Sequence, residues 1–168
     1  TMTKKMIPAF VLTSVLAGLM ATQVSAAEVI RHKLPNSDFP ISLAVEIPPG
    51  VTVVNLSGVV PPIADSKADP KTLAAYGDTE VQTVNVLKNI EATLKSLGLS
   101  MGDVIKMQVY LVGTPETGKM DFAGFMKGYT QFFGTQAQPK LPTRSAFQVA
   151  GLANPNYLVE IEVTAARP

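Results

Sequence analysis

The chain has 168 residues, enough for one domain with a core of its own and too few for two ordinary ones. Hydrophobic residues make up 46% and charged residues 16%, which suits a compact globule and excludes a disordered chain. A formal charge of +1 offers no basic surface to nucleic acid, and the lack of cysteine excludes disulfides, thiol catalysis and cysteine metal ligands.

The first segment reads as an address. Thr1 ahead of Met2 reads as an appended residue, and Lys4 and Lys5 then form a positive start. An apolar run from Met6 to Met20 follows, interrupted by Pro8 and Gly18, and Val24-Ser25-Ala26 supplies the small residues a signal peptidase needs. The run is too short for a permanent span. Residues 1–26 are therefore expected to be a signal peptide, and residues 27–168 a single exported, periplasmic domain with no membrane association after cleavage. Without Lys4 and Lys5 the balance is 12 basic against 13 acidic residues.

Short strands are predicted over residues 28–34 and 41–47, ended by the turn signal Pro48-Pro49-Gly50. The single histidine, His32, falls in the first of these, and a lone histidine makes neither a metal cluster nor a triad. A buried strand is expected over residues 51–60, with Gly58 marking a bulge or a close backbone approach. Asp78 can cap a helix in which Val81, Val84, Leu87, Ile90, Leu94 and Leu97 recur at three and four residues, and Gly98 ends it. A strand over 104–112 places Ile105, Met107, Val109 and Leu111 on one face. A second helix over 120–133 carries Phe122, Phe125, Met126, Tyr129, Phe132 and Phe133, an aromatic stripe that reads as core because no basic cluster interleaves it.

Pro139 and Pro142 then force an extended approach to Thr143-Arg144-Ser145-Ala146-Phe147-Gln148-Val149. In the last strand Val159, Ile161, Val163 and Ala165 alternate with Glu160, Glu162 and Thr164. Paired as a hairpin, these two strands would set the guanidinium fork of Arg144 near the carboxylates of Glu160 and Glu162. That arrangement is a fixed cation for an anionic ligand beside a group able to hold water, or a plain cross-strand ion pair. The element order predicts an α+β layer with two helices on one face of a mixed sheet. Met107 or Leu111 facing the uncovered side would force a closed oligomer. No glycine-rich phosphate loop and no metal-ligand cluster occur, so no cofactor or metal is expected.

The strand ending in Ser57-Gly58, Gln82 and Asn89, Gly98-Leu99 with Asp103-Val104, Tyr129 with Phe132-Phe133, Pro142-Thr143-Arg144-Ser145 and Glu160-Ile161-Glu162 together resemble the Rid (YjgF-type) family of imine and enamine deaminases. The resemblance spans nearly all of residues 27–168. It implies a chorismate-mutase-like fold, a homotrimer with sites at the subunit interfaces, and hydrolysis of 2-aminoacrylate and related 2-imino acids to 2-keto acids and ammonia. By the same resemblance Arg144 clamps the substrate carboxylate and Glu160 orients or activates the attacking water. Gly58, Ser145 and Tyr129 would lie against the substrate. The chain departs from the family at three further substrate-binding positions. Ile41 stands where a tyrosine is usual, Met126 replaces an asparagine and Ala146 a cysteine, which suits a larger or less polar acid. Two other classes stay open: a trimeric binder of small carboxylates without turnover, and a holdase-like interaction protein.

Overall fold

The fold is given by a computed structural model that describes residues 27–168; the segment read as a signal peptide lies outside the described residues. Among the described residues eight strands and α-helices follow in order: β1 (Ile30–Lys33), β2 (Ser42–Glu46), β3 (Thr52–Asn55), α1 (Thr79–Ser96), β4 (Val104–Val112), α2 (Phe122–Tyr129), β5 (Thr143–Val149) and β6 (Val159–Arg167). The expected strand over 51–60 stops at Asn55. Beyond it the Leu56 N–H still donates to Val163 O at 3.0 Å, and Val59, just past Gly58, bridges to Ile161. The second helix ends at Tyr129, and its remaining aromatics follow in turns, with Phe133 1% exposed. Among the described residues no helix is long and apolar enough to cross a membrane.

α1 begins where the Asp78 carboxylate accepts the Val81 N–H at 2.9 Å and ends at Gly98, whose φ of 71° only glycine adopts freely. Its buried face is Thr79, Gln82, Thr83, Val86, Leu87, Ile90 and Leu94. Val81 and Leu97, expected on that stripe, are 40% and 41% exposed. The stripe is rotated because Gln82 is buried with its hydrogen bonds complete. Its amide donates to Gly77 O and Asn156 O at 3.0 Å each and accepts the Leu158 N–H at 2.7 Å. A satisfied polar side chain costs little inside a core.

The main sheet runs β3-β6-β4-β5, with β4 parallel to β5 and antiparallel to β6. The expected β5–β6 hairpin does not form. β4, α2 and β5 make a crossover unit, which lays β5 parallel on one side of β4. The long connection after Val149 then returns β6 to the other side, so β4 separates the two strands. In this register Met107, Val109 and Leu111 share a face with Arg144, Ala146, Val159, Ile161 and Val163, and that face is covered by the helices. Met107 and Leu111 therefore do not face the uncovered side. That side carries Lys106, Gln108, Tyr110, Ser145, Phe147, Glu160 and Glu162.

β1 and β2 form a separate antiparallel pair against the β5 edge. Ser42 ties it there, its N–H donating to Pro142 O at 2.8 Å and its hydroxyl to Leu141 O at 2.6 Å. Arg31 ties it again, donating to Gly102 O, Val104 O and Leu141 O at 2.9, 2.9 and 2.6 Å. His32 is a strand residue as expected, its Nε2 2.9 Å from Glu46 Oε1.

Candidate active site

Arg144 enters at the mouth of β5, where Pro142 holds the strand extended and the Thr143 hydroxyl donates to Ile105 O at 3.2 Å. Its side chain turns to the helix-covered face and meets α2. Four rings surround the guanidinium: Phe39, Phe122, Phe125 and Tyr129, with centroids 5.3, 5.8, 5.0 and 4.5 Å from Cζ. Nη1 donates to the thioether of Met126 at 3.3 Å. The buried Nε has no hydrogen-bond partner, and Arg144 has no carboxylate counter-ion among the described residues. Ring faces attract a cation, by about 0.5–2 kcal/mol each, without neutralising it. Burial lowers the pKa of Arg144 from its very high ordinary value, and the Tyr129 hydroxyl opposes the shift. The product is a half-buried cation with donors to spare.

Tyr129 is fully buried and donates its hydroxyl to Pro40 O at 2.7 Å. Burial pushes its pKa up to about 12 against the pull of the Arg144 charge, so it is a neutral phenol at physiological pH. Through that bond α2 holds the segment carrying Phe39 and Ile41. A cavity of about 270 Å³ opens between this segment and β5, lined by Leu34, Ile41, Ser42 and Leu43 on one side and by Lys106, Thr143, Arg144 and Ser145 on the other. Ala146 lies on the Arg144 face two residues on and packs against the core.

Glu160 stands elsewhere. It is opposite Tyr110 on β4, on the uncovered face, separated from Arg144 by the sheet itself. Gly58 is pressed onto it so closely that a Cβ there would overlap Oε1 and lie 3.0 Å from Cδ. The Tyr110 hydroxyl bonds Glu162 Oε1 at 3.0 Å and the amide oxygen of Gln108 at 2.8 Å, and desolvation, followed by the bond to Glu162 and the charges of Glu162 and Glu160, raises its pKa. The structure thus gathers Arg144, Met126, Tyr129 and Ile41 at one place, with Ala146 further along the same strand face. Ser145 points to the opposite, uncovered face, the one that carries Glu160 with Gly58 against it. The expected nearness of Arg144 and Glu160 fails within one chain because β4 lies between their strands.

Phe39, Phe122 and Phe125 are the residues that sequence reasoning missed. The signal was present, since Phe122, Phe125, Met126 and Tyr129 share a helix face. That stripe is core and at the same time the box around the guanidinium. Leu34, Leu43 and Lys106 carried no signal at all.

Two helices on one face of a mixed sheet define an α+β domain of YjgF-type architecture. Residues 42–167 match the family model described as endoribonuclease L-PSP. The chain belongs to this family, the Rid (YjgF-type) proteins. It is 33% identical over 121 residues to the 2-iminobutanoate/2-iminopropanoate deaminase of Salmonella typhimurium, covering 72% of this chain and 89% of that one. Among solved structures, TdcF of Escherichia coli with bound serine is 32% identical, with a TM-score of 0.55 over 73% of this chain and 85% of that one. The Rid-family protein YyfB of Yersinia pestis is 25% identical, with a TM-score of 0.60 over 82% and 98%.

Proposed function

We propose that the protein is an exported, periplasmic deaminase that hydrolyses reactive 2-imino acids to 2-keto acids and ammonia, working as a homotrimer. The observation that carries this reading is Arg144: a half-buried guanidinium with no counter-ion among the described residues and a buried Nε without an acceptor, on a strand mouth that also lines a cavity. A carboxylate supplies the missing acceptors through two parallel hydrogen bonds. The deaminase relative and the serine held by TdcF support a small carboxylate as the ligand. A near-balanced mature charge gives the endoribonuclease description no electrostatic support.

Arg144 and Glu160 lie on opposite faces of their own sheet, so the second group comes from another copy at a trimer interface. Glu160 takes a proton from water as its oxygen bonds to the imine carbon and passes that proton to the nitrogen. The new hydroxyl then gives its own proton to that nitrogen through Glu160, so that the C–N bond breaks, ammonia leaves and the C–O bond closes to the ketone. The imine carbon is already electrophilic, so position and water suffice. Leu34, Ile41 and Leu43 form the wall for the side chain, with Ser145 at the rim, which favours larger apolar imino acids over the smallest.

The separation of Arg144 and Glu160 within one chain equally suits a trimer that binds carboxylates without turning them over. A complementation assay separates the two. Imino acids are generated in situ by an amino-acid oxidase, and ammonia release is followed for Arg144→Ala, Glu160→Ala, and trimers reassembled from equal amounts of both. Each variant alone is expected to be inactive, with Glu160→Ala keeping nearly intact carboxylate affinity. Random mixing in a cyclic trimer restores both groups at about a quarter of the interfaces, and activity should return toward that level. Mixed trimers that stay inactive would refute the shared site. A wild type that binds carboxylates yet accelerates no imino acid would establish the binder.

A further inference from the structure

We infer that Met126 is an oxidation site whose sulfoxide closes the Arg144 anion site; the inference rests on the carboxylate-clamp reading above. Met126 lies on α2 with its sulfur 3.3 Å from Arg144 Nη1, so the thioether is a direct acceptor for one arm of the fork. A thioether is a weak acceptor and yields that N–H readily to a carboxylate. The side chain is partly exposed, whereas Met101 and Met107 are 4% and 1% exposed within the core. Met120, also partly exposed and outside the group of residues around the Arg144 guanidinium, serves as an internal reference. A site that admits a small acid beside Arg144 also admits a hydroperoxide.

The chemistry is a two-electron oxygen transfer from a hydroperoxide, here hydrogen peroxide. The sulfur lone pair attacks one peroxide oxygen, an S–O bond forms and the O–O bond breaks. The proton on the transferred oxygen passes to the departing hydroxide, leaving sulfoxide and water. Sulfur is oxidised and the peroxide is reduced. The N–H of Nη1 points at the sulfur and can hydrogen-bond the arriving oxygen. Afterwards it faces a polar S–O group, a far better acceptor than the thioether. The sulfoxide then holds the donor that the carboxylate requires. The modification is reversible by methionine sulfoxide reductase. An exported protein meets peroxide more directly than one shielded by cytoplasmic reductants, which gives the switch a setting.

The test uses the intact oligomer and a 2-keto acid, pyruvate, as the carboxylate probe. Protein is treated with hydrogen peroxide, oxygen addition is mapped by peptide mass spectrometry, and pyruvate affinity is measured before oxidation, after it, and after reduction by the reductase. We expect Met126 to gain one oxygen and affinity to fall about tenfold, the worth of one hydrogen bond to a charged group, and to recover on reduction. Met126→Leu has its own starting affinity, which peroxide should leave unchanged. Three results would overturn the inference: Met126 untouched while Met120 is oxidised, Met126 oxidised without loss of affinity, or Met126→Leu losing affinity equally. An untreated protein that binds no carboxylate would instead overturn the clamp, and this inference with it.

Discussion

Arg144→Lys keeps one positive charge and removes the fork, so it isolates what the planar group contributes. Lysine offers a single ammonium where arginine presents parallel N–H bonds to a carboxylate. It also gives up the Nη1 contact to Met126 at 3.3 Å and the position of the guanidinium carbon 4.5 to 5.8 Å from four ring centroids. One lost hydrogen bond to a charged group is worth about 1.5–3 kcal/mol, or roughly 10- to 150-fold in affinity. The two cations also differ in how they answer to pH. Burial lowers the arginine pKa, but from a starting value so high that the group stays charged. A lysine starts near ~10.4, and the same burial draws it toward neutrality. Only the charged form binds a carboxylate, so the variant's affinity falls as pH rises through roughly 8 to 10, while the wild type's stays level. Titration calorimetry with a 2-keto acid at several pH values reads both effects. A variant that binds as the wild type does, with an equally level pH profile, would refute the clamp.

Gly58→Ala places a methyl against the Glu160 carboxylate, which must swing away, and the backbone at Gly58 is one that alanine accepts. Turnover should fall by about ten- to a hundredfold with unchanged carboxylate affinity and melting temperature, checked by ammonia release and calorimetry. Gln82→Leu leaves Gly77 O, Asn156 O and Leu158 N unpaired in the core, and denaturant unfolding should register a loss of about 3 kcal/mol or more. Tyr129→Phe removes the bond to Pro40 O and should cost about 1 kcal/mol in the same assay, with a rise in KM as the Phe39–Ile41 segment loosens. Mass spectrometry of the secreted protein should find a mature terminus near Ala27.

The parts legible in the sequence are those that neighbouring residues decide. Asp78 and Gly98 bound α1 because caps are local chemistry, and the alternation in β4 and β6 gives their faces directly. Strand order is not local. Thr143 to Val149 and Val159 to Arg167 read equally well as a hairpin or as two strands divided by a third. Only the crossover through α2 decides. That single ambiguity moved Glu160 to the far face from Arg144. The face of α1 was misread for a related reason, since Gln82 looks like surface until the loops that satisfy its amide are in place. Phe122 and Phe125 were seen as core and not as a cation box, because a stripe does not reveal which strand residue will point into it.

Arg31 anchors the first strand pair to the rest of the domain. Its three bonds to Gly102, Val104 and Leu141 fasten the β1–β2 pair, and so the wall formed by Leu34, Ile41 and Leu43. If the leader is cleaved near Ala27, as proposed, that fastening sits four residues into the mature chain, on the end an aminopeptidase reaches first. Trimming past Arg31 would slacken the wall and leave Arg144, its rings and Glu160 untouched. Ageing outside the cell would then blunt the choice among side chains while the grip on carboxylates persisted, so an old preparation would resemble a less discerning protein rather than a dead one.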